Sequence, residues 1–137
     1  MSVNHLALNL FAIVGVLALA TGCRTVNPID PAAPQVADTS RVLTEAPLAR
    51  KVQVVQILQT RTDGGLLQVQ VELLNKSNRG KEINYRFEWV DQGGFAIDTL
   101  LSRWSRLSLS VGKPVMVRGL APTPSASDFR LKLVRAN

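Results

Sequence analysis

Regular alternation of apolar and polar residues between Ile83 and Trp89 constrains the fold of this 137-residue chain more than any other feature. Ile83, Tyr85, Phe87 and Trp89 are separated by single polar or charged residues. Successive side chains of an extended strand point to opposite faces, so a period of two places these four on one face. The segment is therefore predicted to be a β-strand with one face in the core and the other in solvent.

Similar patterns predict further strands on both sides of this segment. Residues 51–60 and 66–75 are rich in Val, Ile and Leu, and the Thr62-Asp63-Gly64-Gly65 step between them tolerates positive φ, which predicts a hairpin. Ile57 shares a face with Val52 and Val54 only if a β-bulge shifts the register. Strands are also predicted near residues 95–97, 102–110, 115–117 and 129–133.

Six or seven short strands with Gly- and Pro-rich turns, and no helix after residue 22, predict an all-β domain. Strands at this spacing are typical of a sandwich or a barrel, and one apolar face on most strands favours two packed sheets. The predicted fold is a single small β-sandwich over residues 48–137. About 90 residues can enclose one modest core without disulfides.

An apolar run over residues 6–22 contains no charged residue and ends in Ala20, Thr21 and Gly22 before Cys23, the only cysteine. Such a run resembles a secretory signal peptide with its cleavage site. With Cys after the cut, it resembles the signal and lipobox of bacterial lipoproteins. The resemblance implies that residues 1–22 are removed and that the Cys23 thiol takes a diacylglycerol.

Two alternatives to a lipoprotein signal stay open. The first is an uncleaved membrane anchor, although Asn9 interrupts a run that is short for a membrane span of about 20 apolar residues. The second is ordinary secretion. Ala20 also stands where lipoboxes usually carry Leu, and residues 1–5 lack Lys and Arg.

Residues 23–47 combine the predicted lipidated Cys23 with a stretch rich in Pro and Ala and without a helical or strand period. This composition predicts an extended tether between the membrane and the β domain. Within it, residues 39–43 could form a helical turn or dock at the edge of a sheet.

The chain carries 16 Lys and Arg against 10 Asp and Glu, a net charge of +6, and all of these residues follow Cys23. This balance favours anionic partners such as lipid headgroups, acidic glycan or an acidic protein face, and an exported chain is not expected to meet nucleic acid. Scattered solvating charges are the alternative, because no run of five basic residues occurs. Arg103, Trp104 and Arg106 form the best candidate for partner binding, unless Trp104 packs between the sheets.

Enzymatic chemistry lacks its usual residues in the predicted mature chain. The only histidine, His5, lies in the predicted signal peptide, which leaves no His for a catalytic triad or a zinc site. Glu88 and Asp91 are not placed to converge as an acid–base pair. The sequence therefore predicts no enzyme, no catalytic residue, no metal and no cofactor. A hydrolase with a Ser–Lys pair is the alternative that stays open.

Several segments together resemble the YcfL family of small bacterial lipoproteins. They are Tyr85-Arg86-Phe87-Glu88-Trp89-Val90-Asp91 with Gly93-Gly94, then Trp104, Gly112-x-x-Val115, Ala121-Pro122 and Asp128-Phe129-Arg130-Leu131. The resemblance implies an immunoglobulin-like β-sandwich on a periplasm-facing anchor and carries over no catalytic residue. It also suggests a link to cell-wall assembly, because genes of this family often neighbour an outer-membrane activator of peptidoglycan synthases.

These observations predict a non-enzymatic interaction module of the cell envelope, lipid-anchored to the outer membrane and facing the periplasm, with an envelope protein as partner. Arg24 follows Cys23, whereas Asp there would resemble an inner-membrane retention signal, and an inner-membrane anchor is the alternative. The second functional hypothesis is a basic module that binds anionic glycan or lipid of the envelope.

Overall fold

The computed structural model of the protein describes residues 35–36 and 38–137. The predicted signal peptide, the cleavage-site residues, Cys23 and most of the tether lie outside the described residues. The described part contains a 3-10 turn at Thr39–Arg41, a one-turn helix α1 at Ala46–Ala49 and nine strands. The strands are β1 Gln35–Val36, β2 Val42–Thr44, β3 Val52–Arg61, β4 Leu67–Asn75, β5 Lys81–Asp91, β6 Ala96–Ile97, β7 Ser105–Leu109, β8 Pro114–Leu120 and β9 Ala126–Arg135.

The strands form two sheets that pack face to face. The first sheet has the order β1-β3-β4-β8, and the second has the order β2-β9-β5-β6, with β7 also paired to β5. All of these pairings are antiparallel except that between β2 and β9. The all-β prediction and the small β-sandwich are therefore confirmed.

The predicted hairpin between β3 and β4 is present, and its turn uses Gly65 at a φ of 76°. The register of β3 shifts between Val54 and Gln56. This bulge adds one residue to the strand and turns Ile57, which has no exposed surface, into the core beside Val52. The bulge that the sequence required for a shared apolar face is thus confirmed.

Strand β5 keeps the alternation that predicted it. Ile83, Phe87 and Trp89 are buried and Tyr85 is half-buried against them. The Phe87 ring stacks on Trp89 with 5.6 Å between centroids, and Phe129 of β9 lies 6.1 Å from Phe87. Burial of each such side chain stabilises the fold by about 1.5–3 kcal/mol, so β5 and β9 form the centre of the core.

The domain begins earlier than the predicted boundary at residue 48. The expectation that residues 39–43, within the predicted tether, form a helical turn or dock at a sheet edge agrees with the structure. Thr39–Arg41 is the 3-10 turn, and Val42–Thr44 pairs in parallel with Leu131–Leu133 of β9. Pro47 lies in the first turn of α1, where its missing N–H costs nothing, and the helix buries Leu48 to 1% exposure. Residues 38–47 therefore belong to the sandwich, since β9 supplies a pairing edge that local sequence does not show.

Gly119→Ala is expected to lower the free energy of unfolding by about 1–2 kcal/mol, because the new methyl group has no room. A Cβ at Gly119 would lie 2.9 Å from the Phe87 ring of the opposite sheet, which is too close. Urea denaturation measures the difference. The matched variant Gly80→Ala, whose Cβ would have no atom closer than 3.9 Å, should match wild type; equal losses for both variants would contradict the packing argument.

Candidate functional site

Trp104 lies on the surface at one edge of the second sheet. Strands β6 and β7 both pair with β5 along this edge, and residues 98–104, here called the 98–104 loop, leave the sheet between them. Trp104 ends the loop directly before β7 and is 44% exposed. The alternative that Trp104 packs between the sheets is therefore wrong.

Arg86 of β5 fixes the position of the indole ring. Its guanidinium carbon lies 4.8 Å from the Trp104 ring centroid, which is within the range of a cation–π contact. Arg86 also donates through Nη2 to Oε1 of Glu88, and the Nζ of Lys132 lies 2.8 Å from the same oxygen. One carboxylate thus holds both cations, and one of them covers a face of the tryptophan.

The Glu88 carboxyl is held in its charged form by these partners. Partial burial acts to raise the pKa of Glu88, but hydrogen bonds from Lys132 and Arg86, with their positive charges, outweigh it and lower the pKa below its ordinary value. Glu88 consequently stays ionised and paired at neutral pH. It acts as an anchor for cations and is poorly suited to exchange protons as a general acid.

The outer face of the second sheet gathers cations from three strands. Arg86 stands opposite Lys132, Glu88 opposite Arg130, and Asn84 opposite Arg106. Directly opposed residues of antiparallel strands point to the same face, which here is the face away from the core. We call Arg86, Trp104, Arg106, Arg130 and Lys132 the basic face; Glu88 is the carboxylate at its centre.

The three residues predicted to bind a partner divide into two groups. Trp104 and Arg106 lie on the basic face, where Arg106 donates to the backbone oxygen of Asn137 over 3.1 Å. Arg103 instead donates from Nε to the carbonyl oxygen of Leu100 over 3.0 Å and so belongs to the 98–104 loop. Sequence spacing missed Arg86, since it lies on another strand and only the register brings it to Trp104.

Two further charged residues of the sandwich, Asp91 and Arg118, have structural partners. Asp91 does not converge with Glu88: its Oδ1 accepts the backbone N–H groups of Gly93 and Phe95, both over 2.9 Å, and so caps the turn after β5. Arg118 lies on the first sheet, where its Nε donates to Gln70. Among residues 35–36 and 38–137, no cluster of three His, Cys, Asp or Glu side chains could hold a metal.

The same described ranges contain no helix with the length and hydropathy needed to cross a lipid bilayer.

The fold and the surface define a small all-β sandwich domain with an exposed basic and aromatic sheet face. The chain belongs to the DUF1425 family of proteins of unknown function, whose family model matches residues 39–135. The match begins in the 3-10 turn before β2, in agreement with the structural start of the sandwich. No curated protein matches the chain.

Two solved structures share the fold. The crystal structure of Campylobacter jejuni cj0090 is 29% identical, with a TM-score of 0.62 over 70% of this chain and 98% of that one. A DUF1425 family member from Shewanella sp. pv-4 is 20% identical, with a TM-score of 0.58 over 80% of this chain and 95% of that one. The sandwich therefore accounts for nearly the whole of both solved chains.

Proposed function

We propose that this protein is a non-enzymatic interaction module of the bacterial cell envelope that binds an envelope protein through its basic face. The observation that carries the proposal is the exposed Trp104 ring, which Arg86 holds in place on the sheet. Trp and Arg are the residues most often found where a few side chains supply most of the binding energy of an interface.

The basic face is preorganised for binding. Trp104 is fixed by Arg86, and Glu88 in turn fixes Arg86 and Lys132. Side chains that are already held lose less conformational freedom when a partner binds, so more of the contact energy appears as affinity. The basic face carries four cations and one carboxylate, and this excess of positive charge favours a partner with an acidic surface.

The anchor and the membrane are the second part of the proposal. The apolar run, the small residues before Cys23 and the cysteine itself support lipidation, and Arg24 supports delivery to the outer membrane with the domain facing the periplasm. Within DUF1425, the aromatic strand, Trp104 and the closing Asp128-Phe129-Arg130-Leu131 support a place among the YcfL lipoproteins. A role beside cell-wall assembly is proposed on that resemblance.

Trp104→Ala is expected to reduce capture of the envelope partner at least about tenfold, the usual scale for a central aromatic contact. The loss arises because the indole supplies most of the apolar area of the basic face. The measurement is cross-linking of the full-length protein in cells, followed by purification and quantitation of the cross-linked species. Met116→Ala, a 39% exposed residue on β8 of the first sheet, is the matched control and should keep wild-type capture.

Equal capture by wild type and Trp104→Ala would contradict the assignment of the surface. Two results together would instead indicate an anionic glycan as the partner. No discrete envelope protein would be cross-linked, and the protein would sediment with purified cell wall at low salt only, since salt screens exposed charges.

A further inference from the structure

The 98–104 loop presents two adjacent leucines to solvent. Leu100 is 84% exposed and Leu101 is 73% exposed. Turns are usually built from small or polar residues, and neither leucine contributes to the core. On the same edge of the sheet, Phe95 directly before β6 is 73% exposed. Two adjacent leucines exposed to this extent mark an interaction surface.

Hydrogen bonds within the loop hold the leucines outward. The N–H of Leu101 donates to Oγ1 of Thr99 over 3.1 Å, and the N–H of Ser102 donates to the carbonyl oxygen of Thr99 over 3.2 Å. Arg103 closes the turn, donating from its backbone N–H to Leu101 over 2.8 Å and from Nε to Leu100 over 3.0 Å. The hydrogen bonds of the loop therefore fix the backbone in the conformation that exposes Leu100 and Leu101.

Cations lie within this apolar turn and next to it. Arg103 is part of the turn, Arg106 follows two residues after Trp104, and Arg86 contacts the Trp104 ring. Asp98 is the only acidic residue of the loop. Apolar side chains next to cations match an anionic lipid surface, where the chains enter the headgroup boundary and each cation adds about fivefold in affinity.

The length of chain before the described residues limits how far the loop can lie from a membrane. Cys23 and Gln35 are separated by 12 positions, which span at most about 40 Å when fully extended. Neighbouring strands are about 4.8 Å apart and packed sheets about 10 Å apart, so crossing the width of four strands and passing from one sheet to the other takes roughly half of that reach. A chain anchored at Cys23 can therefore place the loop against its own membrane.

We propose that the 98–104 loop inserts Leu100 and Leu101 into the anionic lipid leaflet to which the chain is anchored. A groove on a protein would accommodate the leucines, but an anionic leaflet accounts for both the leucines and the cations next to them. The inference rests on the membrane anchor of the proposed function. Its test needs no protein partner, although Trp104 lies where the loop meets the basic face. The domain would then lie with this edge on the lipid, and its orientation would be set by the loop.

Trp104 provides the probe for the test, since it lies three residues after Leu101 and is exposed, whereas the other tryptophan, Trp89, is only 3% exposed. Full-length lipidated protein is placed in vesicles of phosphatidylethanolamine and phosphatidylglycerol that contain lipids brominated in the acyl chain. Bromine should quench Trp104 in wild type. Replacing both Leu100→Ser and Leu101→Ser should reduce the quenching at least about twofold. Leu120→Ser, a 50% exposed residue on β8, is the matched control and should leave it unchanged.

Each other outcome overturns the inference in a distinct way. Equal quenching in the double variant and wild type means that the leucines do not enter the lipid. Equal quenching in neutral phosphatidylcholine vesicles removes the role of the cations. If the protein floats with the vesicles but Trp104 stays unquenched, the loop does not enter the lipid and the anchor is unaffected. If Trp104 becomes shielded from solvent only when the protein self-associates, the loop binds a second copy of the chain. Protein that does not float overturns the anchor as well.

Discussion

Cys23→Ala is expected to release the protein from the membrane fraction or to leave it as an unprocessed precursor. Only a thiolate is nucleophilic enough to form the thioether that carries the diacylglycerol. Each buried methylene contributes about 0.8 kcal/mol to membrane binding, so loss of two acyl chains removes stable anchoring. Fractionation and intact-mass measurement report the two results: wild type should be membrane-bound and carry the mass of the lipid on a chain that begins at residue 23.

Ala20→Leu is the matched control for this prediction. It changes the same cleavage region but restores the residue that lipoboxes usually carry, so processing and lipidation should be kept. Unchanged processing and membrane retention of Cys23→Ala would contradict the lipoprotein interpretation. If wild-type protein stays in the membrane fraction at the mass of the full precursor, residues 6–22 form an uncleaved membrane anchor.

The spacing of apolar residues along the chain predicted the strands and the bulge, because these depend on residues that are close together in the sequence. The alternation over residues 83–89 predicted β5, because side-chain direction in a strand depends only on position. Ile57 required a bulge, because three apolar residues at uneven spacing can share a face in no other regular way. Both predictions used residues close together in the chain.

The partners of distant segments could not be predicted in the same way. The sequence allowed residues 39–43 to dock at a sheet edge but did not show which strand would receive them. Val42–Thr44 has only three residues and no alternation to identify it, and it becomes a strand because the edge of β9 lies beside it. Tertiary context decides such short strands, since their own β-propensity is too weak. The predicted tether therefore extended too far into the domain.

The candidate site also has one part that the local sequence indicated and one part that depends on strand pairing. Polar neighbours on both sides of Trp104 indicated an exposed ring, and the structure places the ring on the surface. The sequence could not show that Arg86 covers the ring or that Glu88 holds Arg86 and Lys132, because those contacts depend on the register of three strands. The predicted strand over residues 102–110 also begins three residues early, which hid the loop that carries Leu101.

Asn75 is the clearest residue that sequence reasoning missed. Although its side chain is polar, it has no exposed surface. Its Nδ2 donates to the carbonyl oxygens of Arg79 and Leu109 over 2.8 and 2.9 Å, and its Oδ1 accepts the N–H and hydroxyl of Ser77 over 3.0 and 2.7 Å. Leu109 belongs to β7, so this one side chain joins the end of β4 in the first sheet to the second sheet.

Asn75→Ala is expected to lower the free energy of unfolding by about 3 kcal/mol, because it leaves the buried Leu109 carbonyl without its donor and frees the turn held through Ser77. For a domain of this size the midpoint of thermal unfolding should fall by about 10 °C or more. Thermal and urea unfolding followed by circular dichroism measure the change. Asn78→Ala, the same substitution at an exposed position of the same turn, should stay within about 0.5 kcal/mol of wild type. Equal stability of the two variants would contradict the role of Asn75 in joining the sheets. It would mean that its four hydrogen bonds are no stronger than those that the same donors and acceptors make with water.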